Sequence, residues 1–408
     1  MSATPHHTSG PLDRLFLRLG TITGFVLDLD GPAPPPEQLA ARVIQRASSL
    51  PTLNLSPPTS GKHQWKPHLE TLSEAIHVHR SEPPGAEQGL ESVTNTVLRQ
   101  PLPSAPHPPW DLWLLPSDRC RFRICYRVHH ALQDGAGAAH TLLTLLADRP
   151  TPGPHPHRAT APTASGALRE GWALTRSLFP KKTWPVLHQP PTHRTQWTYR
   201  DVPEACARKA AQAHDVTVND VCLAALAQAL QHWRTTYLEP TPRCPDVHAL
   251  VPLSLRQDHE RHAPGNRVTG LRLTLPSSAP DFGQALHSVH RQTRRVRATR
   301  QRDVSRVALR LMPSRLGEMT GKVITAKATC PLIASTIGLP ATFTCQGAHL
   351  YAASMFNDLY DERLSYISFT RAAGIIRCGM FYDSALPGAR AIPEFWSANL
   401  TSVVEELH

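Results

Sequence analysis

Apolar and charged residues alternate through 120–128, where Arg121, Arg123 and Arg127 stand against Phe122, Ile124 and Tyr126. A period of two predicts a half-buried strand. Just downstream, 136–147 is small and apolar with no breaker beyond Gly137, which predicts a helix. The block His129-His130-Ala131-Leu132-Gln133-Asp134-Gly135 therefore lies where a strand turns into a helix. Such turns project side chains into open space from a rigid frame. The same two periods divide the rest of the chain. Helices are expected at 11–19 (Leu12, Leu15, Phe16 and Leu19 on one face), 36–49, 89–99, 165–178, 203–214, 218–238, 281–299, 305–311 and 393–407. Strands are expected at 21–29, 76–79, 111–116, 195–201, 247–254, 267–275, 331–337, 348–356, 363–370 and 375–382. Segments 111–116 and 120–128 read as an antiparallel pair turning at Ser117-Asp118, and Trp65 and Leu69 fall in a loop-rich span. The 218–238 helix is apolar nearly all round and so belongs in an interior; Thr217 or Asn219 caps it.

The run Arg-Pro-Thr-Pro-Gly-Pro from residue 149 reads as a solvated linker. It separates a first unit, 1–148, from a second, 193–408, with a Pro-rich linker and helix at 149–192 between them. The 408 residues exceed an ordinary domain of about 100–200, and both halves mix strands and helices in similar amounts, so two similar α/β lobes are expected.

Composition narrows the function classes. Net charge is +11, which suggests an anionic partner: a phosphorylated co-substrate, an acidic carrier protein or a membrane surface. An Arg-favouring genome explains the same number equally well. No nucleic-acid module is visible, because the basic residues are not interleaved with stacking aromatics. The basic face Arg291, Arg294, Arg295, Arg297, Arg300 and Arg302 is either a solvated helix face or a contact for phosphates or lipid head groups. Eight Cys form no C-x-x-C pair, which reads as free buried thiols in a reducing compartment, with no metal site. With no signal core and no apolar run near the roughly 18 residues of a membrane span, a cytoplasmic protein is expected, with peripheral membrane contact left open.

The His-His block suits proton transfer. A neutral imidazole takes a proton from a hydroxyl or amine near neutral pH. Asp134 either holds the turn or orients an imidazole as a triad's third member does. Gly135 removes a side chain where backbone turns tightly or approaches a substrate. The block contains no Ser or Cys, so direct activation of an acceptor is the simpler chemistry; two packing histidines at a surface turn are the plain alternative.

The block resembles the His-His-x-x-x-Asp-Gly signature of the acyltransferase superfamily that includes chloramphenicol acetyltransferase, the condensation domains of peptide synthetases, and the bacterial wax ester synthase/diacylglycerol acyltransferase family. Further stretches are most similar to the third: Pro11-Leu12-Asp13-Arg14-Leu15-Phe16, Pro109-Trp110, Val218-Asn219-Asp220-Val221-Cys222-Leu223-Ala224, Val251-Pro252-Leu253-Ser254-Leu255-Arg256 and Gly265-Asn266. Ser335-Thr336-Ile337-Gly338-Leu339-Pro340 departs from the family's Ser-Asn-Val-Pro-Gly-Pro, and no Gly follows Asp361 before Ser365-Tyr366. The resemblance implies an α/β fold (an α+β sandwich) of two chloramphenicol-acetyltransferase-like lobes forming a V around a substrate channel. It implies an O-acyltransferase moving an acyl group from acyl-CoA, a co-substrate and the only cofactor-like molecule, to an alcohol. His130 is then the general base and His129 a packing residue. Asp134 is structural, bonded to an Arg for which Arg256 is the guess, beside Gly135 in the signature. Asn219, Asn266 and Ser335 are placed near the substrates. The alternative within this fold is a condensation-like enzyme that takes its acyl group from an acyl carrier protein and passes it to an alcohol or amine.

Overall fold

The computed structural model describes residues 7–58, 64–68, 72–78, 87–117, 120–154, 184–239, 245–311 and 314–406. In chain order the strands are β1 (His7–Thr8), β2 (Ile22–Asp30), β3 (Leu55–Ser56), β4 (Gln64–Pro67), β5 (Ile76–Val78), β6 (Trp110–Pro116), β7 (Arg121–His129), β8 (Thr195–Pro203), β9 (Val247–Ser254), β10 (Val268–Leu275), β11 (Leu332–Gly338), β12 (Thr344–Cys345), β13 (Ala348–Asn357), β14 (Ser365–Ala372) and β15 (Ile375–Asp383). The helices are α1 (Pro11–Leu19), α2 (Pro36–Ala47), α3 (Glu87–Leu98), α4 (Gly135–Leu146), α5 (Glu204–Ala213), α6 (Val218–Tyr237), α7 (Phe282–Ala298), α8 (Gln301–Leu311), α9 (Ser314–Ile324) and α10 (Ala391–Glu406). One six-stranded sheet runs β12-β13-β2-β7-β6-β5 and a second β10-β9-β11-β14-β15-β8; β1, β4 and β3 form a small third sheet. Each large sheet backs one lobe and has its own apolar cluster. The α6 helix, buried on nearly every side, packs between α10 and α7, with α5 and strand β10 also against it, as its all-round apolar surface requires.

The alternating strand β7 departs from expectation. Its charged face is interior: Arg123 and Arg127 are 1% and 0% exposed. Arg127 Nε donates to Asp111 Oδ1 at 2.8 Å, and Arg123 Nε to Asp28 Oδ1 at 2.6 Å. Arg377 of β15 also reaches Asp28, at 2.5 Å, and binds Asp201 at 2.7 Å. Burial alone would raise the Asp28 carboxyl, but the two guanidinium charges outweigh it and hold it well below the usual carboxylate range. Polar alternation here marks a buried charge layer joining β2 and β7 of one sheet to β15 of the other.

The sheets also cut across the expected 193–408 unit. Segments β12 and β13 leave it to join the first lobe, β13 pairing antiparallel with β2 from His349↔Asp30 to Asn357↔Thr23. Without β13, one edge of β2 would present a row of unpaired backbone groups. Three smaller corrections follow. Trp65 lies in strand β4, fully buried, with its indole N–H on Ser9. Helix resumes as α9 beyond Pro313, where none was expected. Cys120 is exposed and Cys206 half-buried, so not every thiol is interior. The expected helix at 165–178, with most of the 149–192 linker, Asp118 and Leu69, lies outside the described residues.

Candidate active site

The strand-to-helix turn is pinned by backbone on both sides. The His129 N–H donates to Pro109 O at 2.9 Å and the His130 N–H to Thr21 O at 2.8 Å. Asp134 caps α4 through a bond from the Gly137 N–H to its Oδ1 at 2.8 Å, the usual cure for unpaired donors at a helix start. Its carboxylate also accepts Arg256 Nε at 2.8 and 3.0 Å and the Arg267 N–H at 2.7 Å. Arg256, 1% exposed, spends its other donors on the carbonyls of Glu260 (2.7 Å), Ala263 (2.9 Å) and Gly265 (2.6 Å). Burial pushes the Asp134 carboxyl up; the Arg256 charge and these hydrogen bonds prevail, so it ends below its ordinary value. The turn of the first lobe is thereby locked to the 256–267 loop of the second, with a further bond from the Gly265 N–H to Leu132 O at 2.7 Å. Both Asp134 oxygens are occupied by these partners, and neither accepts from an imidazole.

His130 is 8% exposed and stacks on Phe16 of α1, ring centroids 3.9 Å apart and planes 6° from parallel. Its Nδ1 is buried without a hydrogen-bond partner. Burial pulls the imidazole below its ordinary pKa, opposed by the Asp134 and Asp13 carboxylates, so the ring is neutral at pH 7. His129 packs instead. Its ring meets the edge of Trp65, its Nδ1 accepts the Ala131 N–H at 3.1 Å, and burial with the neighbouring His130 brings its pKa down to about 4.

His130 faces a cavity of about 760 Å³ between the lobes. Phe16, Gly135 and Met355 line it from the first lobe, and Leu250, Val268, Ile333, Ser335 and Tyr366 from the second. A Cβ at Gly135 would lie 2.3 Å from Met355 Cε on the cavity wall, so any side chain there would push the Met355 thioether aside and reshape that wall. Of the three expected substrate-side residues, only Ser335 lines this space. Asn266 works behind the ring, donating to the His130 carbonyl at 2.7 Å while Asp13 accepts its side-chain amide at 2.9 Å. Asn219 is neither on the cavity wall nor the α6 cap; Thr217 is the cap, and Asn219 Oδ1 accepts the Thr336 hydroxyl at 2.6 Å.

Four residues escape sequence reasoning. Asp13 and Phe16 sit in the 11–16 stretch whose resemblance was visible but carried no role. Gly137 is dictated by Arg256, whose Nη2 would be 2.7 Å from a Cβ. Asn357, on the cavity wall, buries its Oδ1 without a partner. Among the described residues, no group of three or more His, Cys, Asp or Glu side chains is placed to hold a metal, and no helix is long and apolar enough to cross a membrane.

Comparison with known proteins agrees with this geometry. A family model described as the wax ester synthase/diacylglycerol acyltransferase catalytic domain matches residues 11–181. A probable diacylglycerol O-acyltransferase of Mycobacterium tuberculosis is 24% identical over 320 residues, covering 68% of this chain and 67% of the relative. Among solved structures, the wax ester synthase/diacylglycerol acyltransferase from Marinobacter aquaeolei VT8 superposes with a TM-score of 0.70 at 19% identity, covering 98% of this chain and 99% of that one. The starter condensation domain of rhizomide synthetase, solved with C8-CoA and Leu-SNAC, gives a TM-score of 0.61 at 15% identity, covering 98% and 93%.

Proposed function

We propose that this chain, a divergent member of the wax ester synthase/diacylglycerol acyltransferase family, joins the acyl group of an acyl-CoA to an alcohol with His130 as general base. The observation that carries the reading is a buried imidazole, stacked flat on Phe16, at the wall of a large and mainly apolar cavity. With Nδ1 buried, Nε2 is the nitrogen assigned to the acceptor hydroxyl. It takes the proton as oxygen attacks the thioester carbonyl. The C–O bond forms, the C–S bond breaks, and the imidazolium returns the proton to the leaving thiolate, giving ester and free thiol. The atoms balance with thioester, alcohol and one base, so no further cofactor is needed. A general base of this kind supplies about 10²–10⁴-fold, and holding both substrates in one cavity supplies much of the rest. Asp134, Arg256 and Asn266 act by fixing the loop that carries the base, and Asn357 is suited to hold a polar group of the acceptor.

The test is product mass spectrometry of purified protein given mixed acyl-CoAs and a panel of alcohols. Ester formation is expected, with loss in His130→Ala; full transfer by that variant overturns the mechanism. The likeness to condensation domains favours a second reading, in which the donor is a carrier-protein thioester and the acceptor an alcohol or amine. Presenting one acyl group on CoA and on a carrier protein, with one acceptor, separates the two.

A further inference from the structure

We infer that Phe16 of α1 is a positioning residue for the base, holding the His130 ring by its face through proton transfer, and that Tyr360, in the loop between β13 and β14, braces Phe16 in turn; its part in transfer rests on the acyl-transfer reading. A histidine is usually aimed by a hydrogen bond to its second nitrogen. His130 lacks that bond, since its Nδ1 is buried without a partner. Its aim must come from packing. The last torsion of a histidine is otherwise broad and shallow. With the phenyl ring of Phe16 3.9 Å away and 6° from parallel, any turn of the imidazole drives an edge into that face.

Phe16 is held as firmly. Tyr360 meets it at 5.7 Å and 86°, a favoured edge-to-face contact, and the Arg363 guanidinium lies 4.8 Å from the Tyr360 ring centroid. Arg363, 1% exposed, donates to the carbonyls of Cys330 at 3.2 Å and Tyr360 at 3.4 Å, and to Thr325 O. The turn after Tyr360 puts Asp361 and Glu362 at φ 55° and 56°, a left-handed conformation that residues with side chains rarely adopt and that persists only where the surroundings fix it. They do so here: Asp361 Oδ2 accepts the Lys327 N–H at 2.7 Å, and Asp358 at the start of the loop accepts the Ile22 N–H at 3.0 Å. The column Arg363–Tyr360–Phe16–His130 thus runs from a clamped loop to the base.

The stack also bears on charge. An aromatic face attracts a cation, so Phe16 favours the imidazolium that exists between the two proton transfers. The titratable groups around the ring are Asp13 of α1, Asp134 at the head of α4, the adjoining His129, and Tyr360, whose hydroxyl burial keeps protonated. A change at position 16 leaves all of them in place.

NMR titration of histidine-labelled protein, with the His130 signal assigned by its loss in His130→Gln, tests the stack without substrate. Phe16→Leu is expected to lower the His130 midpoint by about 0.5–1.5 pH units. It should also cut kcat by about 10–100-fold with little change in KM, as a displaced catalytic group does. Tyr360→Leu should lower kcat in the same manner, and Tyr360→Phe, which keeps the ring, should recover most of that loss. The Tyr360 pair decides the matter if Phe16→Leu fails to fold. A folded Phe16→Leu protein whose His130 midpoint is unmoved or raised overturns the inference, as do Tyr360→Leu and Tyr360→Phe proteins that behave alike. A lowered midpoint in a protein that transfers no acyl group supports the stack and counts against the acyl-transfer reading alone.

Discussion

Asp134→Asn separates the charge of this residue from its shape. Asn caps helices about as well as Asp, so the bond from Gly137 survives. What is lost is the negative charge facing Arg256, a guanidinium buried to 1% exposure. One carboxylate oxygen serves Gly137 and Arg256, the other Arg256 and Arg267. The amide group of Asn, a donor only, must replace one of them and confront an N–H. Removing one partner of a buried pair costs about 3–5 kcal/mol. Arg256→Met should cost more, because it also strips the carbonyls of Glu260, Ala263 and Gly265 of their donors. The double variant should be less destabilised than the sum by about 1–3 kcal/mol. Urea unfolding followed by tryptophan fluorescence measures all four proteins. A carboxyl held below its unfolded value contributes stability above that value, near 3.9, and loses it as pH falls through the folded pKa. The gap between wild type and Asp134→Asn should therefore persist from neutral pH down to about pH 4 and close only below it. Activity gives the decisive contrast. As a positioning residue whose carboxylate opposes the depression of His130, Asp134→Asn should move the acid limb of the rate profile only toward lower pH and cost far less in kcat than a lost triad member would. Strictly additive unfolding energies, or a folded variant losing about 10⁴-fold in kcat as a disrupted triad would, would refute the positioning role.

Three further outcomes follow from the same coordinates. Burial depresses His130, so kcat/KM should rise with pH through an acid limb below the ordinary histidine value of about 6.5; a limb at or above that value contradicts the assignment. Gly137→Ala would normally gain about 1 kcal/mol in a helix, but here its Cβ would lie 2.7 Å from Arg256 Nη2, and thermal unfolding should instead show a loss of about 1–3 kcal/mol. Burial raises the Asp358 carboxyl to about 6; the stability of its protonated form is complete below the unfolded value and lost as pH rises through about 6. Asp358→Asn should therefore be neutral near pH 4 and stabilising by about 3 kcal/mol at pH 8, and a variant no more stable than wild type at pH 8 removes the argument.

Much of this was legible in the chain. Period-two and period-3.6 patterns located nearly every long strand and helix, because each has one face in an apolar cluster, and the strand-turn-helix setting of His130 followed from its flanks alone. Arg256 was reachable through its neighbouring stretch. Pairings between distant segments were not. Nothing in 348–357 distinguishes a partner in its own half from β2, since both edges ask for the same apolar alternation. Arg123 and Arg127 read as solvent-facing because periodicity reports polarity and not its location; their partners Asp28 and Asp111 lie far off in the sequence or on the neighbouring strand. Asn266 was chosen for the substrate side, yet it is spent on the His130 carbonyl, a distinction that depends on which way one amide points. Gly137 looked like a mild helix breaker, while the pressure keeping it small comes from a guanidinium more than a hundred residues away.

Strand β13 has a consequence for how the protein is made. The bond from the Thr23 hydroxyl to Phe356 O closes a loop of 333 residues, so the first lobe cannot complete its sheet until nearly the whole chain has left the ribosome. Contacts of such range are slow to form, and β2 meanwhile waits with an open border that another polypeptide can claim. Expressing either half alone should give an incomplete sheet prone to clumping, whereas co-expressed halves have a route to rejoin, since the returning ribbon travels with the second piece.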